Sequence, residues 1–538
     1  MTRNSGQLYL REDAYFEPLF NQWYAWPHLL APVTAARHMV NTHKRIMTSF
    51  VNNFRLHMMA VKEPGMAGGD FLDCTEEQVA DVKELVQRTD ADHQDMLELS
   101  EAVRSLDELL RAHTSGESIE YLYPRIPGPL KGYVELYLDM NHNPSYRLIE
   151  PLLYKSSYYK PALQSASFGL LDKVMQRPFV LSTPRFPDAN HLQLAMDFND
   201  PILDRIFSAR EQPLAAAEVD LLFRDRPSKG ALSYLDLFTP QAPSRRHCAV
   251  TQGIRLQYLG HAGFLIEAPD VSILVDPVIA VRGQAHADEL ISFSELPPRI
   301  DYICVTHSHQ DHANIETLLQ LRYKTRRVLV PKNNGGTLAD PSLRLLLKQL
   351  GFDVMELDDL DEVNIAGGRV IAVPFLGEHG DLHIRSKTAW FVELGGQRMF
   401  FGADSCNVDP AMYRYVRNVI GAVDILAIGM ECVGAPYTWL YGALTTQKVA
   451  KNIKNSRRLN GSDSRQALQM VETFKPRQVL IYALGKEPWY KYFVGLDYTD
   501  DSRQILESNK VLKACAERGM PAETLYGKKI MELAWTGE

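Results

Sequence analysis

The sequence predicts an α/β protein in which an α+β N-terminal domain precedes a sandwich of sheets flanked by helices. The chain has 538 residues, a length that fits two domains and leaves room for a third. In its second half, short strand-like runs alternate with longer polar and helical runs, which is typical of a sandwich covered by helices. The first half has long stretches of helical spacing and few strand-like segments.

Composition and charge exclude several classes of protein. Hydrophobic residues make up 45% of the chain and charged residues 23%, an ordinary balance for a globular protein with buried cores. The formal net charge is -8, which argues against a nucleic-acid binder because such a protein needs a basic surface. We therefore predict a soluble enzyme without a nucleic-acid partner.

Cysteine usage and the N-terminus both predict a cytoplasmic protein. The six cysteines form no Cys-x-x-Cys pair and no dense framework, which fits a reducing compartment. Residues 1–6 lead into the charged residues Arg11, Glu12 and Asp13 without the apolar core of a signal peptide. No stretch reaches the length of a membrane span, so we expect no membrane association.

The first half is predicted to begin with long helices. Residues 34–60 contain neither Gly nor Pro and place apolar residues such as Met39 and Ile46 at helical spacing. A second helix is expected at the capping-box pattern formed by Thr75 and Gln78. Four histidines lie in or just before the first helix; because no carboxylate is interleaved with them, we predict surface or packing roles rather than metal binding. They are His28, His38, His43 and His57.

A proline-rich polar stretch at residues 238–244 marks the predicted domain boundary. We place the N-terminal domain at residues 1–245 and the catalytic domain at residues 246–538. The first half has no phosphate loop, no dinucleotide-binding fingerprint and no internal repeat. The predicted function of this domain is therefore to form a dimer, to cover the active site or to dock a partner.

The chemistry of the chain is concentrated in residues 306–312, directly after the apolar run 303–305. This segment supplies three imidazoles and a carboxylate, which are ordinary ligands of borderline metals. They are His307, His309, Asp311 and His312. His307 and His309 alternate as strand-end residues do and would point the same way, while Asp311 and His312 can turn towards a second position. The spacing therefore predicts two metals side by side rather than a polar turn.

This motif resembles that of the metallo-β-lactamase superfamily. It precedes the helix-like residues 315–321, and residues 256–267 and 273–277 resemble the opening strands of that fold. The resemblance implies an αββα sandwich for the C-terminal domain. It also implies that Asp404, which follows the strand-like residues 399–401, bridges two metals.

Two further positions bear on the identity of the metal. After the strand-like residues 370–373, where hydrolases of the superfamily present a histidine ligand, Glu378 and His379 compete for that position. Those hydrolases also take a last histidine from a late strand, but no histidine follows His383, and the corresponding strand offers Tyr482. Fewer imidazoles and more carboxylates favour iron that binds dioxygen over a closed pair of zinc ions.

The chain resembles a narrower group, the di-iron β-hydroxylases of nonribosomal peptide pathways that make antibiotics. Segments of both halves carry this resemblance, so it covers nearly the whole chain; they are residues 26–29, 149–154, 307–312, 377–379 and 482–489. The resemblance implies a monooxygenase that uses two iron ions and O2 to hydroxylate the β-carbon of an aminoacyl thioester on a peptidyl carrier domain. Because the chain has no flavin or nicotinamide motif, we expect a separate reductase as electron donor. We also expect a homodimer.

The same resemblance implies a ligand set and catalytic residues. One iron would be held by His307, His309 and Glu378, the other by Asp311 and His312, with Asp404 as the bridge. A late histidine ligand has no counterpart here, which leaves Tyr482, His379 or water for the last position of the second iron. By position, Glu378 matches a glutamate of that family that moves when the loaded carrier binds. Glu378, Asp404 and Asp311 are accordingly the predicted catalytic residues.

A zinc-dependent hydrolase of a phosphodiester, lactone or thioester is the competing prediction. In that mechanism metal-activated water attacks the substrate, with Asp311 as a proton acceptor. Fold alone does not decide between the two, because one fold hosts many activities. Metal content separates them, since two irons support the oxygenase and zinc supports the hydrolase.

Overall fold

The structure, a computed structural model, describes residues 6–63, 70–172, 177–283, 285–495 and 497–537. Most of the segment on which the prediction about the N-terminus rests, residues 1–5, lies outside the described residues. Within the described ranges, no helix is both long enough and apolar enough to cross a membrane.

The N-terminal half combines antiparallel sheets with helices. Its strands are β1 (Gln7–Leu10), β2 (Ala14–Phe20), β3 (Trp23–Tyr24), β4 (Val134–Leu138), β5 (Pro144–Leu148), β6 (Gln164–Leu170), β7 (His191–Ala195), β8 (Leu214–Ala215), β9 (Ser228–Lys229) and β10 (Phe238–Thr239). Its helices are α1 (Pro27–Leu30), α2 (Pro32–His38), α3 (Arg45–Ala60), α4 (Val79–Asp92), α5 (Gln94–Arg111), α6 (Glu150–Leu153), α7 (Pro201–Ser208) and α8 (Ala216–Phe223). The main sheet has the order β3-β2-β6-β7-β9, beside a three-stranded sheet β10-β1-β8 and the hairpin β4-β5.

The helix predicted over residues 34–60 is present but is not uniform. α2 begins with Pro32 in its first turn, where the missing N–H removes no helical hydrogen bond. A π-helical stretch, Met39–Lys44, joins α2 to α3. α3 is itself kinked at Asn53, whose φ and ψ of -144° and 43° are not helical. The predicted capping box of Thr75 and Gln78 is also confirmed, just before α4.

The histidines of this segment are buried, and the packing role predicted for them is confirmed. His43 stacks on Trp23 with ring centroids 3.8 Å apart, and His28 stacks on Trp26 at 4.6 Å. Burial lowers the pKa of His28 and that of His43 to about 3, so both imidazoles are neutral at pH 7. These rings therefore contribute packing surface rather than charge.

Two seven-stranded sheets form the C-terminal half. Its strands are β11 (Ile254–Gly260), β12 (Gly263–Ala268), β13 (Val271–Val275), β14 (Ile300–Cys304), β15 (Thr325–Pro331), β16 (Val354–Leu357), β17 (Glu362–Ile365), β18 (Gly368–Val373), β19 (Ala389–Leu394), β20 (Gln397–Phe401), β21 (Ile425–Gly429), β22 (Gln478–Tyr482), β23 (Ala522–Thr524) and β24 (Lys529–Leu533). Its helices are α9 (Ile315–Leu321), α10 (Leu343–Gln349), α11 (Pro410–Ile420), α12 (Thr438–Tyr441), α13 (Lys451–Ser456), α14 (Ser464–Phe474), α15 (Lys491–Val494) and α16 (Arg503–Glu517). The first sheet has the order β16-β15-β14-β13-β12-β11-β24, and the second β17-β18-β19-β20-β21-β22-β23.

Large apolar and aromatic side chains fill the space between these two sheets. Phe264 of the first sheet meets Phe401 and Tyr482 of the second, with ring centroids 5.0 and 5.2 Å apart. Alternate residues of each strand face this core, as the period of a strand requires. The helices α11, α14 and α16 cover the outer face of the second sheet, and α9 and α10 cover the first. The predicted αββα order of layers is therefore confirmed.

A buried cluster of charges joins the two halves. Glu17 of β2 pairs with Arg177 at 2.9 Å and with Arg185 at 2.7 Å, and Arg177 also pairs with Glu316 of α9 at 2.6 Å. Burial by itself would raise the pKa of Glu17, but the two guanidinium groups lower it to about 2. The halves therefore meet through ionised side chains, and the boundary placed after residue 245 stays a prediction.

Candidate metal centre

The residues predicted to bind metal lie at one edge of the sandwich, where strands of both sheets end. Residues 306–312 follow β14, and Asp276 follows the neighbouring parallel strand β13. In the second sheet, Asp404 follows β20, and Tyr482 is the last residue of β22. Parallel strands bring their carboxyl ends to a common edge, so residues far apart in the sequence meet there.

A first cluster consists of His307, His309, Glu378 and His379, all of them buried. His307 Nε2 lies 3.1 Å from His309 Nδ1. Glu378 Oε1 lies 2.9 Å from His309 Nδ1, and Glu378 Oε2 lies 2.6 Å from His379 Nδ1. Glu378 therefore stands between two imidazoles, and its φ of 66° is a left-handed conformation that few residues other than glycine adopt.

A second cluster consists of His261, Asp311 and His312, and Asp404 lies between the two clusters. His312 Nε2 lies 3.0 Å from Asp404 Oδ2 and 3.7 Å from Asp311 Oδ2. His307 Nε2 of the first cluster lies 3.8 Å from the same oxygen of Asp404. One carboxylate oxygen thus faces an imidazole nitrogen from each cluster.

Asp276 and Thr306 fix the orientation of two imidazoles from behind. Asp276 Oδ2 accepts hydrogen bonds from His312 Nδ1 at 2.7 Å and from Thr306 Oγ1 at 2.5 Å. Asp276 Oδ1 accepts from the backbone N–H of Thr306 at 2.7 Å. Since the Thr306 hydroxyl donates to Asp276, it accepts from His307 Nδ1, which lies 3.0 Å away. His307 and His312 therefore use their Nδ1 atoms in the protein and turn Nε2 towards the clusters.

Tyr441 of α12 contacts the third imidazole and connects it to the N-terminal half. Its buried hydroxyl lies 2.8 Å from His309 Nε2. Its ring meets that of His28 with centroids 5.5 Å apart. Just after α12, the carbonyl oxygen of Ala443 accepts a hydrogen bond from Asn41 Nδ2 at 2.9 Å. The N-terminal half thus packs against the side of α12 that supports the first cluster.

The chemistry of these donors fits metal ions. His307 Nε2 and His309 Nδ1 face each other at 3.1 Å although each ring contacts a hydroxyl group through its other nitrogen. Two imidazole lone pairs repel at this distance unless a cation or a proton lies between them. Among the described residues, none forms a hydrogen bond with the buried atoms His312 Nε2, His379 Nε2 or Asp404 Oδ1. Unpartnered buried polar atoms are costly, and coordination of a metal would remove that cost.

The charges of the two clusters also suit a cation. Burial opposes ionisation of Glu378, but His309 and His379 hold its pKa well below the usual value. Burial likewise opposes protonation of His312, yet Asp404 and Asp311 raise its pKa well above the usual value. The edge therefore concentrates ionised carboxylates around imidazoles, as a site for di- or trivalent ions requires.

All six residues predicted as metal ligands come together at this edge. They are His307, His309, Asp311, His312, Glu378 and Asp404. The two side chains left open for the last position of the second iron do not join the second cluster. His379 belongs to the first cluster, and the Tyr482 hydroxyl accepts a hydrogen bond from Ala403 N at 2.8 Å. 

His261 was missed by the sequence analysis. Its Nε2 lies 3.0 Å from Asp311 Oδ2, so it can orient that carboxylate or bind metal beside it. The signal that could have found it is its place in the turn between β11 and β12, at a strand end like the other site residues.

A sandwich of two sheets with a histidine-rich edge defines a metal-dependent enzyme of the metallo-β-lactamase fold. Residues 272–481 match the β-lactamase superfamily domain. Residues 9–243 match the N-terminal domain of the diiron non-heme β-hydroxylases. The N-terminal match is the more specific of the two because it names a reaction and a metal centre.

Individual relatives extend this match along the chain. The protein is 37% identical over 534 residues to the 4-amino-L-phenylalanyl-CmlP-peptidyl-carrier-protein 3-hydroxylase of Streptomyces venezuelae, with 97% of this chain and 99% of the relative covered. It superposes on the crystal structure of CmlA, a diiron β-hydroxylase from Streptomyces venezuelae, with a TM-score of 0.90 at 36% identity, covering 98% of this chain and 100% of the other. A mutant of the same hydroxylase gives a TM-score of 0.88 at 35% identity with the same coverage.

The chain belongs to the family of diiron non-heme β-hydroxylases. It is accordingly a monooxygenase with a dinuclear iron centre, as the sequence predicted. This family assignment supports the oxygenase over the competing zinc hydrolase.

Proposed function

We propose that the protein uses dioxygen to hydroxylate the β-carbon of an aminoacyl thioester carried on a peptidyl carrier domain of a nonribosomal peptide synthetase. The relative that matches this chain over nearly its whole length is named for a 3-hydroxylation of an aminoacyl group on a carrier protein. The observation that carries the proposal is the position of Asp404. Its Oδ2 atom faces both His307 Nε2 and His312 Nε2, so this carboxylate can bridge two ions.

The proposed ligands divide between the two clusters and the carboxylate between them. In this proposal His307, His309 and Glu378 would hold one iron, Asp311 and His312 would hold the other, and Asp404 would serve both. Water is assigned to the last position of the second iron, because the Tyr482 hydroxyl is bonded to Ala403 N and His379 pairs with Glu378. His261 holds Asp311 through the contact at 3.0 Å.

The reduced iron pair, when bound, supplies the oxidation of a C–H bond by dioxygen, which leaves one oxygen atom in the new hydroxyl group and the other in water. The residues of the chain hold the metal ligands in place and orient them. Asp276 keeps His312 in the tautomer that leaves Nε2 free, and Thr306 does the same for His307. Two electrons must come from a separate reductase, because the sequence carries no flavin or nicotinamide motif.

Glu378 is the proposed moving residue. Gly377, Glu378 and Gly380 have φ values of 76°, 66° and 57°, so the loop around Glu378 is held in a left-handed conformation that costs free energy in a non-glycine residue. Docking of a loaded carrier can release that strain by moving the carboxylate away from His309. Asp311 and Asp404 are the other proposed catalytic carboxylates.

The N-terminal domain, residues 1–245, is proposed to cover the active site and to form the homodimer. Arg37 donates to the carbonyl oxygen of Thr445 at 2.7 Å, and Asn41 donates to that of Ala443 at 2.9 Å, both beside α12. These bonds hold the domain next to Tyr441 and the first cluster. Light scattering of the purified chain tests the dimer, and a monomeric mass at micromolar concentration would refute it.

Metal analysis tests the ligand assignment. Protein grown with iron-57 is expected to hold two irons per chain and to show a coupled diferric pair by Mössbauer spectroscopy. His312→Ala should lose one or both irons, whereas the control His383→Ala, which removes an exposed histidine, should keep both. Two zinc ions in the wild-type protein, with no coupled iron after anaerobic reconstitution, would contradict the assignment.

Mass spectrometry of a loaded carrier tests the reaction. With a reductant and isotopically labelled dioxygen, the aminoacyl thioester should gain one labelled oxygen atom at its β-carbon. Release of the free amino acid without oxygen incorporation would instead indicate a thioester hydrolase.

A further inference from the structure

We propose that Glu431 binds the α-ammonium group of the aminoacyl substrate while the hydroxyl group of Tyr498 donates to the thioester carbonyl oxygen. Together they would place the β-carbon against the metal centre. This inference deepens the proposed function and rests on an aminoacyl thioester being the substrate. Neither residue belongs to the ligand set, and neither was singled out from the sequence.

The backbone of Glu431 is fixed beside the metal centre. Glu431 follows β21, the strand that lies between β20, which leads to Asp404, and β22. Gly429 N donates to Ala403 O at 2.9 Å, and Gly461 N donates to Glu431 O at 2.8 Å. A Cβ atom added to Gly461 would lie 3.5 Å from both Asp404 O and Glu431 N, so the three segments meet at one point.

The carboxylate of Glu431 lacks a counter-charge. Across the described ranges of the chain, no Lys, Arg or His forms an ion pair with it, and it makes no side-chain hydrogen bond. Burial raises its pKa well above the usual value, and the nearby carboxylates of Asp404, Asp311 and Glu378 raise it further. The other carboxylates of the edge each contact an imidazole. The raised pKa favours the protonated form of Glu431, and an ammonium group that binds against this side chain would stabilise its ionised form.

Tyr498 supplies an independent observation at the same place. Its hydroxyl group is shielded from solvent and has no hydrogen-bond partner in the part of the chain that the structure describes. Burial raises the pKa of this phenol, and the negative charges of Glu431, Asp404 and Asp311 raise it further, so the ring lies within their electrostatic range. Buried tyrosine hydroxyls normally find a partner, so this donor points to a missing acceptor.

An aminoacyl thioester satisfies both groups at once. Its α-carbon carries an ammonium group on one side and a carbonyl group on the other, which match an unpaired carboxylate and an unpaired phenol. The β-carbon lies about 2.5 Å from the α-nitrogen, as the length of two bonds dictates. Holding the ammonium group at Glu431, next to Asp404, therefore keeps the β-carbon close to the metal centre.

This arrangement also sets an order of reactions. A carrier-bound group whose nitrogen is already acylated has no positive charge for Glu431. Hydroxylation would therefore precede the condensation step that forms a peptide bond on this nitrogen.

Paired substrates test the proposal on the full-length iron-loaded enzyme. A carrier domain is loaded with a 4-aminophenylalanyl thioester or with its analogue that lacks the α-amino group, and KM and kcat are measured for each. Glu431→Gln should raise KM about ten- to hundred-fold for the aminoacyl carrier, because a charge-assisted bond is lost, and leave the des-amino carrier within about two-fold. The control Asp497→Asn removes an exposed negative charge close to Tyr498 and should change neither.

Tyr498→Phe provides the second arm. It should weaken the binding of both substrates equally, because both retain the carbonyl group, and the control Tyr415→Phe, at a ring that is 70% exposed, should weaken the binding of neither.

Equal losses for the two carriers in Glu431→Gln would overturn the proposal, since the ammonium group would then not be recognised. Loss of iron or a changed Mössbauer spectrum in Glu431→Gln would overturn it as well, because Glu431 would then be a metal ligand. If the wild-type enzyme hydroxylates no aminoacyl carrier of a wider panel, the proposed function itself fails.

Discussion

Replacing Asp276 by Asn should damage the metal centre without removing any proposed ligand. Asp276 is fully buried and accepts three hydrogen bonds, from Thr306 N, Thr306 Oγ1 and His312 Nδ1. The amide of Asn has the same shape but only one acceptor oxygen. Its NH2 group would face the hydroxyl of Thr306 and the N–H of His312, both of which now donate to Asp276.

The magnitude follows from these three bonds. If the amide oxygen keeps the bond to Thr306 N, the bond from His312 Nδ1 is replaced by two opposed donors unless the proton of His312 moves to Nε2. That move protonates His312 Nε2, the nitrogen proposed to bind iron, which lies 3.0 Å from Asp404 Oδ2. A hydrogen bond to a charged group is worth about 1.5–3 kcal/mol, so loss of the bond from His312 should lower the free energy of unfolding by about 1.5–3 kcal/mol. Iron affinity should fall about 10- to 100-fold, as for other partners of metal-binding histidines.

Two assays separate these effects. Urea denaturation of the metal-free protein gives the change in the free energy of unfolding, and competition with a chelator gives the change in iron affinity. The control Asp353→Asn breaks an exposed pair with Arg327 at 2.8 Å and should cost at most about 1 kcal/mol with no change in iron affinity. Wild-type iron affinity in Asp276→Asn would show that Asp276 does not set the tautomer of His312.

Three further predictions concern the ligands and the stability of the fold. Glu378→His should retain metal but abolish oxygen activation, because an imidazole replaces the carboxylate proposed to move; unchanged Mössbauer spectra and turnover would remove Glu378 from the ligand set. Arg177→Met leaves two buried glutamates without their shared partner and should lower the free energy of unfolding by about 3–5 kcal/mol, whereas Arg477→Met, at a side chain that is 78% exposed, should change little in the same urea titration. Burial raises the pKa of Glu150 from 4.5 to about 7, so its folded form binds a proton more tightly than its unfolded form. Wild type should therefore lose up to about 3 kcal/mol relative to Glu150→Gln as the pH rises from 4.5 to 7, and parallel melting curves across that range would contradict this.

Local spacing was sufficient to predict one part of the site. His307, His309, Asp311 and His312 lie within six residues after an apolar run, so a strand end and a tight loop bring them together whatever the rest of the chain does. The same holds for the capping box at Thr75, which involves only neighbours in the sequence. Glu378 and His379 were both named, but which of them pairs with His309 Nδ1 depends on a loop whose left-handed residues have no distinct sequence pattern.

The contacts between distant segments were decided by the tertiary structure. Tyr482 was a candidate ligand by its place at a strand end, yet the register of β22 against its neighbours turns its hydroxyl to Ala403 N. His261 reaches the metal centre from the turn between β11 and β12, and Tyr441 reaches it from α12. Local propensity fixes the type and direction of a strand, whereas the order of strands in two stacked sheets fixes which ends meet. The sequence alone therefore determined the metal-binding loop and the class of enzyme, and the packing of the two sheets determined the groups that surround it.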